Sequence, residues 1–133
     1  IEGDKKTPIG IFGIENLYYR NDRMKKPSTK LKCIKITKNM VWCDDPRNKK
    51  HYNKLIKTNN RYHTEKLYRN DYKYNLMIPI KYNYPKSLKS KGSCIFIHLT
   101  NNFKPTDGCI ALNKKDFLIM LKIINKKTKI FIS

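Results

Sequence analysis

Short apolar runs separated by polar segments predict that most of this chain forms β-strands. Some runs alternate apolar and polar residues, as half-buried strands do, and others are nearly continuous, as fully buried strands are. The predicted strands are Thr7–Ile14, Leu31–Thr37, Tyr74–Tyr82, Ser93–Ile97, Ile110–Leu112 and Thr128–Ile132. Pro79 interrupts the third run, and because proline cannot donate to a strand ladder it predicts an edge strand or a bulge there.

One stretch near the end of the chain has helical periodicity instead. Between residues 114 and 125, apolar residues recur every three or four positions and so share one face of a helix. Asn113 is suited to cap this helix, with Asp116 at the third helical position. The apolar stripe has the ordinary width of a core-facing surface, so we expect it to pack inside the protein and not on a membrane or a partner.

The segments between the predicted strands contain more polar residues. Leu17–Ser28 is rich in Tyr, Lys and Arg and predicts an irregular surface segment, and Asn39–Pro46 predicts a loop whose Asp-Asp-Pro ending is interpreted as a helix cap. His51–Lys57 and His63–Leu67 predict short helices, the second with a capping threonine. The pattern alone therefore indicates a β-rich α+β fold.

Length and charge narrow the class of protein. A chain of 133 residues is expected to form one domain with a single core, spanning residues 1–133, and no apolar run is long enough to cross a membrane. Lys and Arg number 30 against 10 Asp and Glu, giving a net charge of +20. The excess is mostly Lys, is spread along the whole chain and accompanies no recognisable nucleic-acid-binding motif. An anionic cell envelope or glycan polymer fits this charge as well as a nucleic acid does. Because no such motif is present, we expect no nucleic-acid partner.

The stretch from Gly92 to Leu112 carries the candidate chemistry. His98 stands at the end of a predicted buried strand, and Cys109 follows a polar loop and Gly108. A thiolate is the reactive form of cysteine, and an imidazole within hydrogen-bond reach can generate it near neutral pH. Gly108 permits close approach of a substrate, and the amides of Gly108 and Cys109 are candidate donors to an oxyanion. On spacing alone, a small buried cysteine and a structural histidine are the more common outcome.

The four cysteines predict no metal site. Cys33, Cys43, Cys94 and Cys109 form no CxxC pair and no close Cys/His spacing, so we expect neither zinc nor another cofactor. Cys94 is expected to be a small core residue. Cys33 and Cys43 could form a disulfide in an oxidising compartment, which their spacing leaves open.

Two separate motifs, in the same order, resemble those of the L,D-transpeptidase catalytic domain, the YkuD/ErfK family. In that family a His is followed by a loop and then by Ser/Thr-x-Gly-Cys and an apolar residue. The matching residues here are His98, Thr106, Gly108, Cys109 and Ile110. Gly-Asp-Lys-Lys-Thr-Pro-Ile-Gly at residues 3–10 matches the family's Gly-Asp-x-x-Thr-Pro-x-Gly element, and Trp-Cys-Asp-Asp-Pro at 42–46 with Tyr-Asn at 52–53 resembles a subgroup of the family.

The chain departs from the usual family pattern at two positions near the cysteine. Asp107 replaces the second His that commonly precedes Gly-Cys, and Ala111 replaces an Arg often found two residues after the Cys. The family's second His acts largely through its backbone carbonyl, so Asp107 is compatible with activity. The His-to-Cys loop is also shorter than usual. By resemblance to the subgroup, His63, Trp42 and Asp107 are expected to contact substrate.

The resemblance implies a mainly β fold with short helices: a YkuD-like mixed sheet or β-sandwich with one amphipathic helix after the catalytic Cys. Family members normally have further strands before the Gly-Asp element, so the N-terminal part of the sheet is expected to be missing here. The implied site consists of Cys109 as nucleophile and His98 as base, with Gly108 at the oxyanion and Thr106 orienting the loop or the imidazole.

The implied activity is that of a peptidoglycan L,D-transpeptidase in the bacterial periplasm or cell envelope. Peptidoglycan stem peptides would be the substrates, and the protein is expected to be a monomer. Three alternatives stay open: an L,D-carboxypeptidase with the same Cys/His apparatus, a catalytically silent envelope-binding domain, and a basic nucleic-acid-binding module.

Overall fold

The computed structural model describes residues 10–45, 52–57, 64–81, 95–100 and 110–132. Within them the chain forms ten strands and one helix, which makes the fold mainly β, as the sequence and the resemblance predict. The strands are β1 Gly10–Gly13, β2 Asn16–Tyr19, β3 Lys32–Lys35, β4 Met40–Cys43, β5 Lys54–Lys57, β6 Thr64–Lys66, β7 Leu76–Pro79, β8 Phe96–Leu99, β9 Ile110–Leu112 and β10 Lys129–Ile132. The helix, α1, is Lys114–Ile123.

A five-stranded mixed sheet forms the centre of the structure, with strand order β3-β2-β7-β8-β9. β7 is antiparallel to both of its neighbours, and each outer pair, β2 with β3 and β8 with β9, is parallel. All four residues of β7 and all four of β8 are buried. This burial explains their continuous apolar sequences, because a strand covered on both faces has no polar positions to alternate.

The two faces of this sheet build two separate cores, since successive residues of a strand point to opposite faces. One face packs on the side of α1, where Phe117 and Leu121 belong to the same buried cluster as Ile97 and Leu99. The opposite face carries Phe96, and its other buried neighbours are mostly large and aromatic: Tyr18, Ile36, Trp42, Leu67, Tyr74 and Met77. We call this second surface the aromatic face.

Two smaller sheets complete the described structure. β4 pairs with β5 and β6 in a three-stranded antiparallel sheet, which brings Trp42 onto the aromatic face. β1 and β10 pair antiparallel, joining the two ends of the described chain. The active-site candidate in β8 is thus held between a helix on one side and a small sheet on the other.

The helix after the candidate nucleophile is confirmed together with its cap. The Asn113 side chain accepts a hydrogen bond of 2.8 Å from the amide of Asp116. Phe117 and Leu121 are fully buried on the core-facing side, as the helical spacing predicts. The amide of Ile124 bonds the carbonyl of Met120 and ends the helix.

The polar middle of the chain is where the secondary-structure predictions were wrong. Leu17–Ser28 was predicted to be an irregular surface segment, but its first residues belong to the buried strand β2. Asn39–Pro46 was predicted to be a loop, but it contains the strand β4. The two short helices expected at 51–57 and 63–67 are instead the strands β5 and β6, as far as the structure describes them. Pairing with β4 decides both cases, because Leu55 and Glu65 each lie opposite Trp42 in its register.

Pro79 also occupies a different position from the one predicted. β7 is the middle strand of the five, not an edge, and Pro79 is its last residue, opposite Phe96. The ladder continues beyond it through a bridge between Ile80 and Ile14. A proline at a strand end removes one donor without interrupting the pairing that precedes it.

Candidate active site

His98 is the third residue of β8 and is 3% exposed. It lies between Met77 of β7 and Ala111 of β9 in the strand register. Phe96, two residues earlier, belongs to the aromatic face, so His98 projects from that same face. The sheet therefore places a titratable ring inside an otherwise apolar and aromatic environment.

The hydrogen bonding of His98 fixes its tautomer. Nδ1 lies 2.9 Å from the carbonyl oxygen of Leu99. A carbonyl can only accept, so Nδ1 carries the proton and donates, which leaves Nε2 with a lone pair in the neutral ring. Nε2 is buried and has no hydrogen-bond partner among the residues the structure describes. An unpaired buried nitrogen costs stability, and this one is a candidate proton acceptor.

The electrostatic environment keeps this imidazole neutral. Burial lowers the pKa of His98, because removal from water penalises the charged form. The hydrogen bond to Leu99 acts in the opposite direction, the charges of Lys73 and Arg69 lower the pKa further, and Asp71 raises it. The net shift is downward, so His98 is available as a proton acceptor at neutral pH.

Tyr74 contacts the imidazole edge-to-face and continues into a series of similar contacts with Phe96 and Trp42. The Tyr74 ring centroid lies 6.0 Å from that of His98 and 5.7 Å from that of Phe96. Trp42 packs edge-on against Phe96 at 5.2 Å. The indole Nε1 of Trp42 donates a 2.8 Å hydrogen bond to Oδ1 of Asn53. The Tyr74 contact and the hydrogen bond to Leu99 restrain the ring of His98, and a base needs a fixed orientation if it is to meet its proton donor.

Next to Tyr74 lies a cluster of four charged side chains. Arg69 makes a two-pronged bond to Asp71, at 2.9 and 2.7 Å, and a further contact of 3.2 Å to Glu65. The hydroxyl of Tyr74 donates to the same Glu65 oxygen at 3.3 Å. Above the Tyr74 ring lie two cationic groups, the guanidinium of Arg69 at 5.5 Å and the ammonium of Lys73 at 5.1 Å.

Two further arginines anchor the segment that carries this cluster. Arg20, 2% exposed, donates to the carbonyl of Arg69 at 2.7 Å and stacks on the ring of Tyr68. Arg23 donates to the carbonyls of Arg69, Asn70 and Asp71. The segment is bonded directly to β8, because the amide of Leu99 donates to the carbonyl of Lys73 at 3.1 Å.

The predicted site residues are described only in part. The structure places His98 and Trp42 on the same face, with Trp42 buried, and the substrate contact expected of Trp42 stays a prediction. The other predicted site residues lie outside the described part of the chain: His63, Thr106, Asp107, Gly108 and Cys109. The structure resumes at Ile110, the first residue of β9 and the partner of Ile97.

The disulfide between Cys33 and Cys43 that their spacing left open is not formed. Burial raises the pKa of Cys33, and its thiol donates to the carbonyl of Leu31. Cys43 is fully buried, and its sulfur lies 4.0 Å from the carbonyl oxygen of Asp45. Neither environment favours a reactive thiolate, which needs a lowered pKa and access.

The segment from Arg69 to Tyr74 was missed by the sequence reasoning. Its signal is present in the printed chain: Arg, Asp, Lys and Tyr alternate in six residues directly before an apolar strand. Such a density of paired charges with aromatic rings is typical of a fixed polar cluster. Within the described residues, no group of three or more His, Cys, Asp or Glu side chains could hold a metal ion. No described helix has the length and apolar character that crossing a membrane requires.

Comparison with known protein families agrees with this geometry. The family model of the YkuD L,D-transpeptidase catalytic domain matches residues 1–132, essentially the whole chain. A match of this extent shows membership, so the protein belongs to the YkuD family of L,D-transpeptidase catalytic domains. No match was found among curated proteins or among solved structures.

Proposed function

We propose that this protein is a peptidoglycan L,D-transpeptidase of the cell envelope that uses Cys109 as nucleophile and His98 as general base. The observation that carries the proposal is the buried Nε2 of His98, without a partner among the described residues and held in the acceptor tautomer by Leu99. A domain that only bound the envelope or a nucleic acid would gain nothing from such a costly group.

Chain connectivity supports Cys109 as the thiol that Nε2 serves. Cys109 directly precedes Ile110, and consecutive Cα atoms are about 3.8 Å apart. Ile110 begins β9, the strand beside β8, and pairs with the residue before His98. Cys43 is disfavoured by its burial and the half-buried Cys33 by its raised pKa, which leaves Cys94 as the competing thiol.

In the acylation step, Nε2 of His98 takes the proton of the Cys109 thiol as sulfur attacks the carbonyl carbon of the diamino acid in a stem tetrapeptide. The carbonyl oxygen becomes an oxyanion, for which the amides of Gly108 and Cys109 are the proposed donors. Loss of one such donor costs about 3–4 kcal/mol in comparable sites. Collapse breaks the bond to the terminal D-Ala, whose amine takes the proton back from His98, and leaves a thioester.

In the second step, an amine of a neighbouring stem peptide attacks the thioester. His98 removes the proton that this amine loses and returns it to the departing sulfur, which restores the thiol and completes the cross-link. Water in place of the amine would give an L,D-carboxypeptidase. Both outcomes use the same acyl-enzyme, and no feature of the described residues favours water over an amine.

The proposal is tested by incubating the protein with muropeptides and identifying the products by mass spectrometry. We expect D-Ala release and cross-linked dimers, both lost in Cys109→Ala and kept in Cys94→Ala. Cys and Ala are similar in volume, so both variants should fold, which circular dichroism checks. Activity that survived in Cys109→Ala and vanished in Cys94→Ala would overturn the assignment of the nucleophile.

A further inference from the structure

The outward side of the β1–β10 pair exposes two large apolar residues. Ile11 is 66% exposed and Phe131 is 71% exposed, and they lie directly opposite each other in the strand register. Side chains opposite each other in an antiparallel pair have Cβ atoms about 4.5–5.5 Å apart, so these two form one apolar patch. Single exposed apolar residues are ordinary on a protein surface, whereas a contiguous pair is a candidate contact site.

Two lysines lie beside this patch on the same side of the strand pair. Gly13 is two residues from Ile11 and opposite Lys129, so it shares their face. Because Gly13 has no side chain, lysine stems lie across it: a Cβ at this position would be 3.3 Å from Cδ of Lys81 and 3.6 Å from Nζ of Lys129. The amide of Lys81 also donates to the carbonyl of Gly13 at 2.8 Å. We call the surface formed by Ile11, Phe131, Lys81 and Lys129 the ribbon face.

The surroundings of the ribbon face are positively charged. Oε2 of Glu15 lies 3.7 Å from Nζ of Lys81 and partly neutralises it. The same Glu15 lines the neighbouring cleft together with Lys30, Lys32, Lys126 and Lys127. Among the described residues, six lysines thus accompany one glutamate here, and all six are exposed. An apolar patch beside exposed lysines suits a partner that has both an anionic surface and an apolar interior.

We propose that the ribbon face docks this protein on a bilayer that contains anionic lipids. The lysines meet the headgroups, and Ile11 and Phe131 enter the boundary between the headgroups and the acyl chains. A second copy of the chain fits this face less well, because two molecules of net charge +20 repel each other. A polar glycan polymer matches the lysines but offers no apolar phase to the exposed pair.

Docking at the ribbon face is compatible with access to the candidate active site. The inner side of the β1–β10 pair, with Phe12, Ile130 and Ile132, packs against the core cluster on the α1 side of the central sheet. His98 projects from the aromatic face, which is the opposite face of that sheet. A bilayer at the ribbon face therefore leaves His98 free to meet a substrate that approaches from the other side.

The test measures partition of the protein onto sedimented vesicles of phosphatidylcholine, with and without phosphatidylglycerol, at about 0.15 M salt. We expect binding only to the vesicles that contain phosphatidylglycerol. Ile11→Gln/Phe131→Gln should lower the partition coefficient about tenfold or more, because the apolar pair no longer enters the bilayer. Both residues are exposed, so this variant should fold, which circular dichroism checks. The measurement requires no catalysis, so its outcome is independent of the proposed function.

Ile119→Gln/Ile123→Gln is the matched control, because these residues of α1 are 49% and 73% exposed. It removes two exposed apolar side chains outside the ribbon face and should change the partition coefficient by less than about twofold. Equal losses in the two double variants, or an unchanged coefficient in Ile11→Gln/Phe131→Gln, would overturn the ribbon face as the docking surface. Equal binding of the parent to both kinds of vesicle would overturn the requirement for anionic lipid.

Insertion into the bilayer is measured directly with Phe131→Trp. Trp42 is buried and gives the same background fluorescence in every variant. Lipids brominated on their acyl chains should quench the added fluorescence of Phe131→Trp but not that of Ile123→Trp. Absence of quenching in Phe131→Trp would show adsorption by charge alone and contradict the proposal. A dimer of the parent in sedimentation velocity that Ile11→Gln/Phe131→Gln dissociates would assign the patch to a second copy instead.

Discussion

The buried imidazole of His98 combines two features that a general base requires. Its Nδ1 proton is committed to the carbonyl of Leu99, and the T-shaped contact with Tyr74 fixes the plane of the ring. Its pKa is lowered by burial, so the ring is neutral before it accepts a proton. The ring is therefore ready to accept the proton of the proposed nucleophile.

The first prediction at this scale concerns the reactivity of Cys109. A detached thiol gains reactivity only as the pH approaches about 8.5, whereas a thiol with a neighbouring base reacts at lower pH. We expect iodoacetamide to modify Cys109 rapidly near neutral pH, and His98→Ala to move the rate profile to higher pH. His51→Ala and His63→Ala should leave it unchanged. If His98→Ala matched the parent and His63→Ala shifted the profile, His63 would be the base.

A second prediction links the pKa of His98 to stability. Because this pKa is lower in the folded protein than the ordinary value of 6.5, the unfolded state binds more protons as the pH falls below that value. The free energy of unfolding should thus decrease from pH 7 towards pH 5, and His98→Gln should abolish this decrease. Urea unfolding at several pH values measures it.

The carboxylates of Asp22 and Asp71 provide an internal control for the urea unfolding experiment. Arg20 and Arg69 hold the pKa values of Asp22 and Asp71 below their usual range, so both carboxylates stabilise the fold above the ordinary value of 3.8. Their contribution is lost only at more acidic pH, in the parent and in His98→Gln alike. A parent whose stability stays constant between pH 7 and pH 5 would contradict the lowered pKa of His98.

At the scale of elements, the arginines of the β2–β3 connection position the charged segment beside the active site. Arg20 is buried and its bond to the Arg69 carbonyl cannot be replaced by water, whereas Arg23 is exposed and its bonds can. Arg20→Met should therefore reduce the free energy of unfolding by about 2–3 kcal/mol. Arg23→Met should cost less than about 1 kcal/mol. Chemical denaturation measures the free energy of unfolding of both variants. Equal losses in the two would show that burial does not decide how much each arginine stabilises the fold.

Some strands and the helix could be predicted from the sequence, and other strands could not. The strand β8 and the helix α1 were predictable, because a continuous apolar run and a capped helical stripe each specify one local structure. β5 and β6 were not, because Leu55 and Glu65 become strand residues by pairing with β4, which is distant in sequence. Tertiary pairing of this kind overrides local propensity.

The candidate site was also predictable only where its signal is local in the sequence. His98 was identified because its motif is local, a strand end followed by a loop and Gly-Cys. Its partners Tyr74 and Lys73 were not, because the contacts that join them to β8 cross a sequence separation that no motif spans. The proposed roles of Cys109, Gly108 and Thr106 still rest on the motif and await the experiments above.

For the whole molecule, the net charge of +20 is the dominant electrostatic property. Lysines surround even the cleft of about 690 Å³ at the start of β2 and β3, where Lys30, Lys32, Lys126 and Lys127 accompany Glu15. All four are exposed, as are many lysines elsewhere on the surface. The charge is therefore suited to long-range attraction to an anionic envelope, not to recognition of one ligand.

The last prediction tests whether that attraction is diffuse. Exposed charges are screened over about 10 Å at 0.1 M salt, so binding to isolated sacculi should weaken steadily as salt is added. Replacing the four cleft lysines by Gln should weaken binding about as much as replacing Lys25, Lys26, Lys38 and Lys57, because each change removes the same charge. Co-sedimentation with sacculi at increasing salt compares the two variants. A much larger loss in the cleft variant would show a localised binding site, and a nanomolar, sequence-selective DNA complex at physiological salt would overturn the envelope assignment.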